Sequence, residues 1–134
     1  MAVWHRKGGF TTDVAAVGSG AFVGAVARFT LSDALAARCG ATMRPWSIAA
    51  INIAGSFALA LMTFGAPNLS QRQRLLFGTG LCGSFTTFST FSVDTLAFIE
   101  RKQLIQGVSY VFLNNAGGIG AAALAMKLCT KRRP

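Results

Sequence analysis

Acidic side chains are scarce in this chain: Asp13, Asp33, Asp94 and Glu100 are the only four in 134 residues. They lie mostly at the ends of apolar stretches, and no nucleophile has a base beside it, so catalysis has no candidate residues. An enzyme is not expected. His5 is the single histidine, and Cys39, Cys82 and Cys129 are odd in number and widely spaced, which argues against a zinc site or a disulfide framework. Charged residues of both signs make up only 13% of the chain, about half the share usual in a soluble domain. What replaces them is apolar: 52% of residues are hydrophobic, with 15 glycines and a mean hydropathy of +0.49.

Four stretches reach or approach the roughly 20 apolar residues that a bilayer crossing requires. They run over about residues 14–36, 45–64, 75–99 and 104–129, joined by short polar links, with a basic tail at 130–134. No room remains for a soluble domain, so the whole chain 1–134 is predicted to be one all-α membrane domain of four helices. Apolar alternation at strand spacing is absent, which excludes a transmembrane barrel. Arg6 and Lys7 before the first stretch, with Ala25-Val26-Ala27 inside it, also fit a secretory signal, but this is the weaker reading because three further spans follow.

The net charge of +9 would point to nucleic acid in a soluble chain. Here the basic residues mark ends and loops, and no nucleic-acid partner is expected. Arg6 and Lys7, Arg38 and Arg44, Arg72 and Arg74, and Arg101 and Lys102 put one basic pair in each segment before the tail. Such pairs cancel across the membrane, so the positive-inside rule gives no preferred orientation and insertion both ways is expected. Only Lys127, Lys131, Arg132 and Arg133 break the balance, and they read most simply as an anchor to anionic lipid. Four short helices enclose little space, whereas two identical subunits inserted antiparallel build a two-fold symmetric pore or carrier. An antiparallel, dual-topology homodimer surrounded by membrane lipids is therefore the expected assembly.

The third stretch carries the most informative residues. From Gly83 to Ser92 it reads GSFTTFSTFS, with no long aliphatic side chain. On a continuous helix Phe85, Phe88 and Phe91 share a drifting face, Ser84 and Thr87 are three apart, and Thr86 and Thr90 are four apart. Ring edges are electropositive and hydroxyls donate hydrogen bonds, so the run suits a small, partly dehydrated anion. Packing rings and back-bonded hydroxyls are the alternative for any single residue. The run as a whole favours function. A second polar line comprises Ser47, Asn52 and Ser56 in the second stretch, and Ser109, Tyr110, Asn114 and Asn115 in the fourth. Each alone is as well explained by interhelical hydrogen bonding as by a pathway; their convergence favours the pathway. Arg28 inside the first stretch either serves an anion vestibule or marks the interface.

Gly20 and Gly24 read as helix packing. Gly78, Gly80 and Gly83 instead run into the threonine-rich segment, where the third helix is expected to break and free backbone carbonyls in mid-membrane. A hard cation such as sodium suits such oxygens, and two copies of the break would meet on a dimer axis.

These segments resemble the Fluc fluoride channel family. GSFTTFSTFS is similar to its third-span signature, with Ser84 where a second glycine is usual; NIAGSF (52–57) is similar to its second-span Asn-x-x-Gly-Ser-Phe; GAFVGAVARF (20–29) is similar to its first-span Gly-x-x-Gly-Ala-x-x-Arg. Tyr110 with Asn114 resembles the fourth-span pore face, where serine is more usual at the latter position. The resemblance covers all four spans in order. It implies an antiparallel homodimer with two pores that passively exports cytoplasmic fluoride through a bacterial inner membrane. It further implies Asn52, Phe88, Phe91, Thr87, Thr90, Tyr110 and Asn114 along the fluoride path, Arg28 in the vestibule, and a structural sodium ion on the carbonyls of Gly83 and Thr86. Asp94 stands where the family commonly has Glu, and Gly118 where it can have a hydroxyl.

Two rivals remain. A small multidrug-resistance transporter also has four short spans, but it needs an embedded carboxylate, and the first stretch has none between Asp13 and Asp33. A purely structural subunit would tolerate isoleucine at Phe88 and Phe91.

Overall fold

In the computed structural model, residues 9–131 are described; His5, Arg6, Lys7, Arg132 and Arg133 lie outside the described residues. Helix α1 spans Phe10–Cys39 and α2 spans Arg44–Gly65, separated by one 3-10 turn at Ala41–Met43. The third span is split into α3 (residues 71–85) and α4 (Phe88–Glu100). Helix α5 spans Leu104–Thr130. The helices Phe10–Cys39, Leu104–Thr130 and the Ala41–Gly65 segment are long and apolar enough to cross a membrane unbroken. The two halves of the third span are about 22 and 20 Å long at 1.5 Å per residue, so neither alone crosses a hydrocarbon core of about 30 Å. Together they do. The ends of all four spans fall within four residues of the predicted ones, and no strand occurs among the described residues.

Sequence signals account for the boundaries. Pro45 sits in the first turn of α2, where its missing N–H costs no helical bond. Ser70 and Gln73 form a reciprocal capping box that starts α3. Helix α4 ends in a turn in which the Lys102 N–H donates to the Ile99 carbonyl and the Gln103 N–H to the Phe98 carbonyl, with Lys102 at φ 57°. That left-handed residue reverses the chain into α5 within three residues.

Packing rests on small residues. A Cβ added at Gly80 would stand 2.6 Å from the Val17 carbonyl oxygen and 3.0 Å from Gly20 Cα, so α1 and α3 touch backbone to backbone. Gly20 and Gly24 press in the same way on the Leu76 and Leu81 carbonyls. The small-residue spacing in the first span is therefore packing, as the sequence implied. Helix α2 lies against the second half of α5, where Gly117 receives Ile53 and Gly65 receives Cys129. Residues 74–82 of α3 and 113–117 of α5 are wound as π-helix, which widens the turn and shifts the register of the side chains that follow.

Gly18 has open space where a Cβ would go. Gly24→Val is expected to abolish recovery of monodisperse protein, because a backbone carbonyl cannot yield to the added atoms, whereas Gly18→Ala is expected to be neutral. Size-exclusion elution and melting temperature of the two variants side by side check this.

Candidate functional site

The break in the third span is two residues long. Thr86 (φ −81°, ψ 159°) and Thr87 (φ −150°, ψ 119°) are both extended. The break expected where the glycine run meets the threonines is present, and it corrects the shared face of the three rings: Phe85 belongs to α3, while Phe88 and Phe91 belong to α4. Phe85 lies beside Gly55 of α2, and the pairs Ser84 with Thr87 and Thr86 with Thr90 do not stack on one helix.

In an unbroken helix the Thr87 N–H would donate to the Gly83 carbonyl. It donates instead to Asn52 Oδ1 on α2, at 2.8 Å. Asn52 Nδ2 returns a bond to the Thr87 carbonyl at 3.2 Å and a second to Asn114 Oδ1 on α5 at 2.8 Å. One amide thus satisfies both backbone groups of the extended residue and ties three spans together. Asn114 Nδ2 donates to the Tyr110 carbonyl at 2.9 Å, and the Tyr110 hydroxyl donates to Asp94 Oδ2 at 3.2 Å. Of the second polar line predicted from sequence, Asn52, Asn114 and Tyr110 are therefore connected, with Asp94 at the end, whereas Ser47, Ser56 and Asn115 bond to carbonyls of their own helices.

The Thr87 hydroxyl caps α4, accepting from the Thr90 N–H at 3.2 Å and donating to Thr90 Oγ1 at 3.1 Å; Ser89 Oγ is 3.2 Å away. Arg28 Nε donates to the Ser84 carbonyl at 3.1 Å, satisfying an acceptor at the end of α3. Thr86 bonds back to the Cys82 carbonyl through both its N–H and its hydroxyl.

A cavity of about 240 Å³ opens at this break. Asn52, Gly83, Thr86, Thr87, Phe88, Phe91 and Asn114 all line it. The Phe88 and Phe91 ring centroids are 5.5 Å apart at 50°, and Phe88 is 77% exposed. Tyr110, by contrast, is fully buried, wedged against Phe91, Phe98 and Trp46 at centroid distances of 5.5, 5.6 and 5.9 Å. It stands behind Phe91, which lines the cavity, and is not itself among the lining residues. Arg28 and Thr90 face a separate small cavity of about 80 Å³ with Arg44.

Several intramembrane hydroxyls prove local. Ser56, Ser92 and Thr95 each donate to the carbonyl four residues earlier, and Ser47 donates to the Arg44 carbonyl. Sequence reasoning gave no role to Trp46, Phe98 or Gly55. Phe98 follows Phe91 by seven residues, two helical turns, which is a readable signal for a shared face. Gly55 leaves the space that the Thr86 methyl and Phe85 ring occupy, and only the fold shows it.

A helical bundle of apolar, membrane-length helices with one broken span, an amide-clamped polar chain at the break and a cavity lined by aromatic and amide side chains defines a small integral membrane protein. The chain belongs to the CrcB-like family: its residues 15–126 match the family described as CrcB-like protein, Camphor Resistance (CrcB). A relative from Oceanobacillus iheyensis, named fluoride-specific ion channel FluC, is 43% identical over 112 residues, covering 81% of this chain and 84% of the relative. Fluoride-specific ion channel FluC 1 from Mycolicibacterium paratuberculosis is 39% identical over 125 residues, covering 90% and 92%. The FluC protein of Thermotoga maritima is 37% identical over 105 residues, covering 76% and 82%.

Replacing Asn52 by Leu strands the Thr87 N–H and carbonyl and one oxygen of Asn114. At about 1–3 kcal/mol for each buried group left unpaired, the variant is expected to lose several kcal/mol of stability. Asn114→Ala, which leaves the Asn52 to Thr87 pair intact, is expected to lose distinctly less. Unfolding of both variants in mixed micelles under denaturant gives the comparison.

Proposed function

We propose that this protein is a fluoride-selective channel that passively conducts fluoride out of the cytoplasm. The observation that carries the reading is the cavity at the Thr86–Thr87 break, where the amides of Asn52 and Asn114 and the rings of Phe88 and Phe91 converge. The names of the relatives support the same ion. Fluoride is small and strongly hydrated, so a selective path must replace its water with close donors, and several weak sites in series let the ion leave again. Chloride gains less from so narrow a track.

The local bonding distributes the work. Both Asn52 donors are occupied, one by Asn114 at 2.8 Å and one by Thr87 at the longer 3.2 Å. Asn52 therefore shapes the wall and reaches an anion by releasing the longer bond. Asn114 uses one of its two N–H donors on Tyr110, which leaves the other for the cavity. Thr90 Oγ1 accepts the hydrogen bond of the Thr87 hydroxyl and keeps its own hydroxyl hydrogen to donate. Tyr110 is a rear support: its hydroxyl is held by Asp94.

The assembly follows from the open side of the site. Phe88 is largely exposed beside a polar cavity, and the basic residues give no preferred orientation. An antiparallel homodimer closes the cavity and makes two pores, in a bacterial inner membrane. The carbonyls at the break fit a hard cation. Gly83 has lost its helical donor to Asn52, and the extended Thr86 directs its carbonyl out of the helix ladder. Four such oxygens from two copies suit a structural sodium ion, which would hold the crossing point of the two breaks together. A multidrug-resistance-like transporter has no comparable support, since its embedded carboxylate would have to be Asp94, and Asp94 is hydrogen-bonded to Tyr110.

In liposomes containing the purified protein, fast fluoride efflux with little chloride loss is expected, and Phe88→Ile or Phe91→Ile is expected to slow it at least tenfold. Folded dimer that passes no fluoride would overturn the reading. Exchange of sodium for N-methylglucamine is expected to lower the melting temperature of the dimer, and an unchanged melting temperature would remove the sodium site.

A further inference from the structure

Arg44 begins α2 and Arg101 follows α4, so both stand at the same end of the bundle, beyond the main cavity. Together with Trp46, Asp94 and Gln103 they line a second, larger cavity of about 430 Å³. Arg44 also borders the cavity of about 80 Å³ that holds Arg28, Asp33 and Thr90. Across the two spaces three arginines face two aspartates. Among the described residues neither the Arg44 nor the Arg101 side chain makes a hydrogen bond, and Arg44 interacts with Asp94 only through its field.

The larger cavity abuts the polar chain. Asp94 lines it and accepts the Tyr110 hydroxyl, while the Tyr110 carbonyl accepts from Asn114, which lines the main cavity. Tyr110 thus stands between the two spaces. Two guanidiniums, with the single carboxylate Asp94 in electrostatic reach of Arg44, stand over a wall formed by Trp46 and Phe98 and make a positively charged recess whose aromatic side screens poorly. Both guanidiniums are exposed to solvent, so they attract an anion without binding it as tightly as a dry cage would.

We propose that Arg44 and Arg101 form an anion-collecting mouth that raises the local fluoride concentration at the Asp94 end of the polar chain. The proposal rests on the fluoride-channel reading. Its ligand chemistry, an anion on paired guanidiniums, is shared with the phosphate of a lipid headgroup, and the two sources separate experimentally. A mouth acts through long-range field, which fails once the Debye length falls below the width of the recess. A lipid clamp acts only where anionic lipid is present.

The experiment measures initial fluoride efflux at fixed fluoride from vesicles of phosphatidylcholine alone and of phosphatidylcholine with phosphatidylglycerol. It compares wild type, Arg44→Gln with Arg101→Gln, and Arg44→Lys with Arg101→Lys. At about 10 mM ionic strength the glutamine pair is expected to run about threefold slower than wild type and the lysine pair close to it. At about 300 mM, set with an impermeant salt, the difference is expected to vanish, in both lipid mixtures alike. Equal rates at both ionic strengths, or a loss that persists at high salt, overturn the mouth. So does a loss confined to phosphatidylglycerol vesicles, which assigns the arginines to lipid phosphate. Wild type that passes no fluoride overturns the channel reading itself, an outcome distinct from all of these. Both arginines are exposed, so folding is expected to survive; should the pair misfold, Arg101→Gln alone is read the same way, with a smaller decrease expected.

Discussion

The Asn52 to Thr87 clamp is what makes a broken helix possible in a membrane. Breaking a helix strands backbone donors and acceptors, and lipid offers nothing to satisfy them. Asn52 meets both groups of Thr87 with one planar amide, and Thr87 then caps α4 with its own hydroxyl. The clamp fixes where the third span turns extended. It thereby fixes where Phe88 and Phe91 emerge and where the Gly83 and Thr86 carbonyls leave the helical ladder.

The surrounding structure serves that geometry. Glycine contacts bring α1 against α3 at backbone distance, so the half-helix before the break is held by packing as much as by its own bonds. Arg28 reaches from α1 to the Ser84 carbonyl, adding a charge-assisted bond at the end of α3. On the other side, α5 contributes Asn114 from a π-wound segment, and Tyr110 is locked by three rings and Asp94. The result is a rigid rear wall facing an open front. Phe88 lies on that front, and it is this open side that the proposed second copy would cover.

Much of this was legible in the residues. Apolar length gave the four spans, because bilayer thickness sets a hard requirement on each. The unusual density of hydroxyls and rings from Gly83 to Ser92 marked the site, because a membrane interior retains such groups only under constraint. The position of the break was visible only roughly. Sequence periodicity assumes a continuous helix, so it grouped Phe85 with Phe88 and Phe91, and two extended threonines separated them. The link from Asn52 to Thr87 joins residues 35 positions apart, and no local pattern encodes it. The same holds for Tyr110 with Asp94, whose meeting depends on the tight Arg101 to Gln103 turn. Ser56 and Ser92 bond back to carbonyls one turn earlier, whereas the Thr87 hydroxyl caps α4, a distinction that only the break creates.

The most direct measurement is the reversal potential of the current through single wild-type channels in a planar bilayer, with fluoride and chloride gradients set in opposite directions. An anion path built on close amide and ring-edge donors reverses at the equilibrium potential of fluoride. Reversal at the chloride potential, or midway between the two, would show that the clamped break does not select the smaller ion.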